Sequence, residues 1–113
     1  MDAIHVRGGN RLFGETKIQG SKNAVLPILA AALLIEDVCV IENCPRISDV
    51  HHMLMLLEEI GCKVKRSDKA VTIDARYLSK DTMSGENVTG MRSSIMLLGA
   101  MLGRVGEVTM AYP

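Results

Sequence analysis

Residues 48–60 carry Val50, Met53, Leu54, Leu57 and Ile60 at i, i+3, i+4, i+7 and i+10, a single apolar helical face. Gly61 follows at once, placed to close that helix in the left-handed conformation. Two short alternating runs come next, residues 62–66 and 70–74, around Ser67-Asp68-Lys69, and read as a hairpin. Pro45 breaks the chain upstream, and Ser48 is expected to cap the helix. Before it, residues 37–42 alternate with β-branched Val38, Val40 and Ile41 and read as a strand. Ser21 is expected to cap a still earlier helix running to about residue 35. Residues 4–7 and 11–19 read as two further short strands around the turn Gly8-Gly9-Asn10. The stretch 16–74 is therefore a β-α-β-α-β-β unit, an α/β (α+β) arrangement.

After a polar stretch, residues 76–89, the pattern starts again. Thr89 or Gly90 opens a helix containing Ile95, Leu98 and Leu102, and residues 105–110 read as a strand. Length allows one ordinary domain and no more: 113 residues. The last residue, Pro113, falls part-way through what resembles a second copy of the unit, so truncation of a longer chain is the expectation. Aromatics are 3% of the chain and Trp is absent, so aliphatic side chains and eight Met must fill the interior.

Charge and cysteine usage exclude several function classes. Thirteen basic and thirteen acidic residues cancel, so no general field draws nucleic acid or an acidic membrane. The longest apolar run, residues 24–35, is interrupted by Pro27 and falls short of the ~20 residues of a membrane span. The N-terminus lacks the pattern of a signal peptide. Cys39, Cys44 and Cys62 are odd in number, without CxxC spacing, and read as reduced cytosolic thiols rather than a zinc site or a disulfide framework. His51 and His52 are adjacent, so on a helix they point about 100° apart and cannot share a metal. The glycines match neither GxGxxG nor a P-loop. Asp49 suits the start of its helix and is expected to pair locally with Arg46.

Gly20-Ser21-Lys22-Asn23 is the segment where chemistry is expected. A helix N-terminus carries about half a positive charge, so Lys22 in its first turn is locally unfavourable. The placement makes sense if an anion is held between the lysine and the helix end, with Asn23 adding a donor and an acceptor at the same edge. Pro27 cannot donate to the carbonyl of Asn23, which predicts a distorted first turn. Arg92 repeats the logic in the first turns of the later helix, where a planar guanidinium suits a phosphate or carboxylate. On local pattern alone, the plainer reading of each cation is a solvated surface residue.

The run from Ile18 to Ala30, including Gly20-Ser21-Lys22-Asn23-Ala24-Val25-Leu26-Pro27, resembles the opening helix of the enolpyruvyl transferases. Glu42-Asn43-Cys44-Pro45-Arg46-Ile47-Ser48-Asp49-Val50, Leu57-Glu58-Glu59-Ile60-Gly61-Cys62-Lys63-Val64 and Met91-Arg92-Ser93-Ser94-Ile95 extend the resemblance along essentially the whole chain. The resemblance implies an inside-out α/β barrel of two similar domains built from βαβαββ repeats, of which about one and a half are present. It implies that residues 1–20 belong to the first domain and residues 21–113 to part of the second. The Ser-Lys-Asn-Ala-x-Leu-Pro run fits the member acting on a nucleotide-linked amino sugar better than its sibling acting on shikimate 3-phosphate.

The implied substrates are phosphoenolpyruvate and UDP-N-acetylglucosamine, with no metal, no organic cofactor, and neither nucleic acid nor membrane as partner. Lys22 and Asn23 would contact phosphoenolpyruvate and Arg92 the nucleotide-sugar side, which turns the balance on Lys22 towards a substrate role. The family's general acid is a cysteine on a Gly-Gly-Cys loop expected just after Pro113, and Cys39, Cys44 and Cys62 do not match it. The 113 residues alone are therefore expected to be inactive. The parent is expected to be a monomer, and the shorter piece to dimerise or swap elements through unpaired strand edges. Two other readings remain at this stage: part of the shikimate-pathway sibling, and a non-catalytic α/β interaction module.

Overall fold

Five fully or nearly fully buried side chains on one stripe (Val50, Met53, Leu54, Leu56 and Leu57) make helix α2 the centre of the structure. At about 1.5–3 kcal/mol for each large aliphatic side chain removed from water, this stripe outweighs any intrinsic helix propensity of the segment. The computed structural model describes residues 2–78, 82–83 and 95–110. Its elements are α1 (Lys22–Ala31), a 3₁₀ turn (Ala32–Leu34), β1 (Val38–Ile41), α2 (Ser48–Glu59), β2 (Lys63–Arg66), β3 (Val71–Asp74), β4 (Thr82–Met83), α3 (Met96–Val105) and β5 (Thr109–Met110).

Helix α2 ends as its sequence requires. Gly61 takes φ 114°. Its N–H donates to the Glu58 carbonyl at 3.1 Å, and the Cys62 N–H donates to the Leu57 carbonyl at 3.0 Å. This pair of crossing bonds satisfies two carbonyls that the helix end would otherwise leave bare, and it needs the left-handed residue that glycine supplies. The start differs from expectation. Ile47, in extended conformation, holds the cap position, Ser48 is the first helical residue, and no side chain caps the end. The Ile47 carbonyl accepts from the His51 N–H at 3.2 Å, while Asp49 in the first turn meets the helix dipole.

The chain then turns into β2 and β3, an antiparallel hairpin with Arg66 opposite Val71 and Lys63 opposite Asp74. Strand β1 pairs with the other side of β3, Val38 opposite Asp74 and Ile41 opposite Val71, so the sheet order is β1-β3-β2. Opposed residues share a face. The row Cys39, Ile73, Val64 therefore looks into the core, and the row Val40, Thr72, Lys65 looks out. Central β3 contributes fully buried Val71 and Ile73, and Ala75 just beyond it is buried too. Helix α2 packs against β2, α1 packs on α2, and α3 packs on α1 and the 3₁₀ turn, with Leu26, Leu29, Leu33, Leu97 and Met101 completing the core.

Several expectations change. Residues 2–20 contain no strand: Ile4, Val6, Leu12, Phe13 and Ile18 are 85–104% exposed, and no strand of the sheet pairs with them. A strand is stabilised by its ladder, and this segment finds no ladder in the described residues. Helix α1 occupies its expected span and finishes in a 3₁₀ turn. Its first turn is regular, with the Val25 N–H on the Ser21 carbonyl at 2.9 Å, because the bond that Pro27 removes lies one turn further on. Helix α3 buries Leu97, Ala100 and Met101, leaving Ile95 and Leu102 about half exposed. It runs to Val105, where Gly106 at φ 77° closes it, so the expected strand 105–110 shrinks to Thr109–Met110. That strand pairs in parallel with Thr82–Met83, in the stretch read as polar connection. Residues 84–94, which include the expected opening of α3, lie outside the described residues. Among the described residues no helix is long and apolar enough to cross a membrane.

Polar ties join the layers. Arg104 donates to the Leu33 carbonyl at 2.8 Å and the Arg76 carbonyl at 3.3 Å, fastening α3 to the end of α1 and to the chain after β3. Arg76 in turn grips Asp74 through two guanidinium bonds of 3.0 and 2.8 Å. Hydrogen bonds from Arg76 hold the Asp74 carboxyl at about 2, below its ordinary 3.8. A carboxyl lowered on folding contributes stability that is present above about pH 4 and fades as pH falls towards 2. Acid denaturation between pH 5 and 2 is expected to show this loss in the natural chain, and Asp74→Asn is expected to flatten it. Superposable acid transitions for the two chains would rule the pair out as a contributor.

Candidate functional site

Gly20 delivers the chain into α1 by passing against the loop between β1 and α2. A Cβ at this position would collide with the Asn43 carbonyl oxygen and lie 3.2 Å from Cδ of Pro45, so the approach requires glycine. The loop cannot easily give way. Asn43 is the only non-glycine residue with positive φ among the described residues, at 55°. The Cys44 N–H is bonded to the Lys69 carbonyl at 2.8 Å. Arg46 donates to the carbonyls of Asp68 and Ser67 at 3.1 and 3.0 Å. Arg46 thus clamps the β1–α2 loop to the hairpin turn rather than pairing with Asp49 as expected, because both carbonyls of that turn point back at it. A depression of about 240 Å³ lies here, lined by Lys17, Ile18, Gln19, Asn43, Cys44, Arg46, Asp68 and Lys69.

Ser21 sits at the cap of α1 in extended conformation, but its hydroxyl makes no capping bond. The first turn of the helix contains no acidic residue. Lys22 and Asn23 occupy it, both exposed. The ammonium of Lys22 reaches across to the first turn of α2 and meets Oδ2 of Asp49 at 2.7 Å. The packing of α1 on α2 therefore brings two helix N-termini, a lysine and a carboxylate into one place. The carboxylate offsets the helix end that the lysine would otherwise oppose. The lysine side chain stays 55% exposed, so an incoming anion can reach it without breaking the ion pair.

Of the residues singled out in the sequence, Lys22 and Asn23 stand together at this site, and Arg92 lies outside the described residues. Asp49 was missed as a partner of Lys22. Its place in a helix first turn was legible, but nothing in the local pattern says that the two first turns meet. The buried thiols of Cys44 and Cys62 are unsuited to proton transfer here. Cys44 and Cys62 are buried and Cys39 half-buried. Burial raises the Cys44 thiol and pushes Cys62 up to about 11. The rings of His51 and His52 are 6.1 Å apart and tilted. Among the described residues no cluster of three or more His, Cys, Asp or Glu could hold a metal ion.

Comparison with known proteins gives a consistent picture. The family described as EPSP synthase (3-phosphoshikimate 1-carboxyvinyltransferase) matches residues 6–112. A UDP-N-acetylglucosamine 1-carboxyvinyltransferase 2 from Caldanaerobacter subterraneus subsp. tengcongensis is 43% identical over 113 residues, which is all of this chain and 27% of that protein. A UDP-N-acetylglucosamine 1-carboxyvinyltransferase from Dichelobacter nodosus is 41% identical over 114 residues, again the whole chain against 27% of the relative. The chain thus spans about a quarter of the length of these curated relatives. The crystal structure of the enolpyruvyl transferase NikO from Streptomyces tendae matches 88% of this chain and 23% of its own, with a TM-score of 0.79 and 29% identity. That likeness bears out the α/β fold expected from the order of elements.

Proposed function

We propose, since the chain belongs to the EPSP synthase (3-phosphoshikimate 1-carboxyvinyltransferase) family, that it forms the phosphoenolpyruvate-gripping part of a UDP-N-acetylglucosamine 1-carboxyvinyltransferase. The observation that carries this reading is identity of 41–43% along the whole chain to enzymes of that name. The site geometry agrees with it: a half-exposed lysine at a helix N-terminus is a place for a phosphate or carboxylate. In the reaction, the 3-hydroxyl of the amino sugar adds to C2 of phosphoenolpyruvate while C3 gains a proton, and the hydroxyl proton passes to a base. The tetrahedral intermediate then loses phosphate from C2 and a proton from C3, leaving the enolpyruvyl ether. Lys22 and Asn23 hold the phosphoenolpyruvate anion, and Arg92 serves the nucleotide-sugar side. The general acid is the cysteine of the family's Gly-Gly-Cys loop, a motif that this sequence does not contain.

The activity accordingly belongs to a chain of the relatives' full length that carries this sequence. Residues 1–20 belong to its first domain and residues 21–113 to its second. Ile4, Val6, Leu12 and Phe13, exposed here, would there lie against the first domain's sheet. Such an enzyme supplies cytoplasmic peptidoglycan precursors, and through them serves cell shape and division. The test is substrate choice. The full-length enzyme is expected to release phosphate from phosphoenolpyruvate with UDP-N-acetylglucosamine as acceptor and not with shikimate 3-phosphate. Turnover with shikimate 3-phosphate instead would transfer the assignment to the sibling activity.

A further inference from the structure

We infer that Asp49 is a positioning residue for this transferase: it holds the Lys22 ammonium at the mouth of the phosphoenolpyruvate site before substrate arrives. The inference rests on the proposed role of Lys22 and deepens it. Lysine is a point charge on a long, freely rotating stem, so an unrestrained Lys22 would sweep a wide arc over the end of α1. The contact at 2.7 Å pins its tip to the first turn of α2. Asp49 is itself only 28% exposed and sits where the α2 dipole favours a negative charge. The first turn of α2 therefore holds it in place.

Asp49 does not cancel the site. Two helix ends, a lysine and one carboxylate leave about one positive charge net. An ammonium has three donors and Asp49 Oδ2 takes one, so the outward donors remain for the anion. The pair thus works as a bracket, with the carboxylate behind the lysine and the substrate in front. Part of the ordering that binding would otherwise require is already in place.

A double-mutant cycle in the full-length enzyme tests this. Asp49→Asn is expected to lower kcat/KM for phosphoenolpyruvate about tenfold with melting temperature little changed. Asp49→Glu is expected to recover part of the loss. In a Lys22→Ala background, Asp49→Asn is expected to add nothing further, because the residue acts through the lysine. Asp49→Ser, which also suits a helix start, serves as the second charge-deleting variant. Additive losses in the cycle, unchanged kcat/KM in either charge-deleting variant, or tighter phosphoenolpyruvate binding would each overturn the proposal. The last would make Asp49 a competitor of the substrate. If Lys22→Ala itself left phosphoenolpyruvate kinetics intact, the underlying assignment of Lys22 would fail instead, a result separable from the others.

Discussion

Lys22→Ala, made in a full-length enzyme carrying this sequence, is expected to lower kcat/KM for phosphoenolpyruvate by about 10²–10³. The argument is electrostatic. Phosphoenolpyruvate brings a phosphate and a carboxylate, and charge builds on the departing phosphate as the tetrahedral intermediate collapses. A fixed ammonium aimed at that charge acts where charge develops, so its removal weakens the transition state more than the ground state. The fold should survive, because the Lys22 end of the pair with Asp49 is open to solvent and solvent-screened pairs contribute about 0–1 kcal/mol. Circular dichroism and melting temperature should therefore match the unsubstituted enzyme. Lys22→Arg keeps the charge but changes a point donor into a planar fork, and is expected to retain part of the activity. Unaltered phosphoenolpyruvate affinity and turnover in the alanine variant would remove Lys22 from the site.

The second large effect lies in the core. Leu29→Ala is expected to destabilise the chain by about 2–5 kcal/mol, because Leu29 is fully buried and truncation leaves a cavity among close-packed neighbours. Against a typical total of about 5–15 kcal/mol, that loss is a large fraction. Its neighbour provides the control. Ile28 is 49% exposed on the other side of α1, and Ile28→Ala is expected to change stability by less than about 0.5 kcal/mol. Chemical denaturation of the two variants gives the comparison directly. Similar midpoints for both would mean that α1 is not docked in the orientation described. The result bears on function as well, since Lys22 and Asn23 lie two turns along the same helix.

The pattern of residues was enough wherever a structure is local. The stripe through Val50, Met53, Leu54 and Leu57, the glycine after Ile60 and the hairpin around residues 67–69 all stand where the residues put them. Each depends on neighbours within about one helical turn or across one tight turn, and periodicity and glycine chemistry carry that information. The lysine at the start of α1 was legible for the same reason: charge against a helix dipole is a local conflict.

What the tertiary structure alone decided involves partners distant in sequence. The alternation in residues 2–20 suggests strands, yet a strand needs a ladder, and the described chain gives that segment none. Thr109–Met110 lies within the strand expected at 105–110, but its parallel partner Thr82–Met83 was invisible because two residues of strand carry no period. The buried side of α3 is set by what it packs against, which is why Leu97 and Met101 face inward while Ile95 and Leu102 do not. Asp49 at 2.7 Å from Lys22 is the plainest case. Sequence determined that each begins a helix with a charge. Only the packing of α1 on α2 decided that the two charges meet, because long-range contacts follow from how faces fit together and not from spacing along the chain.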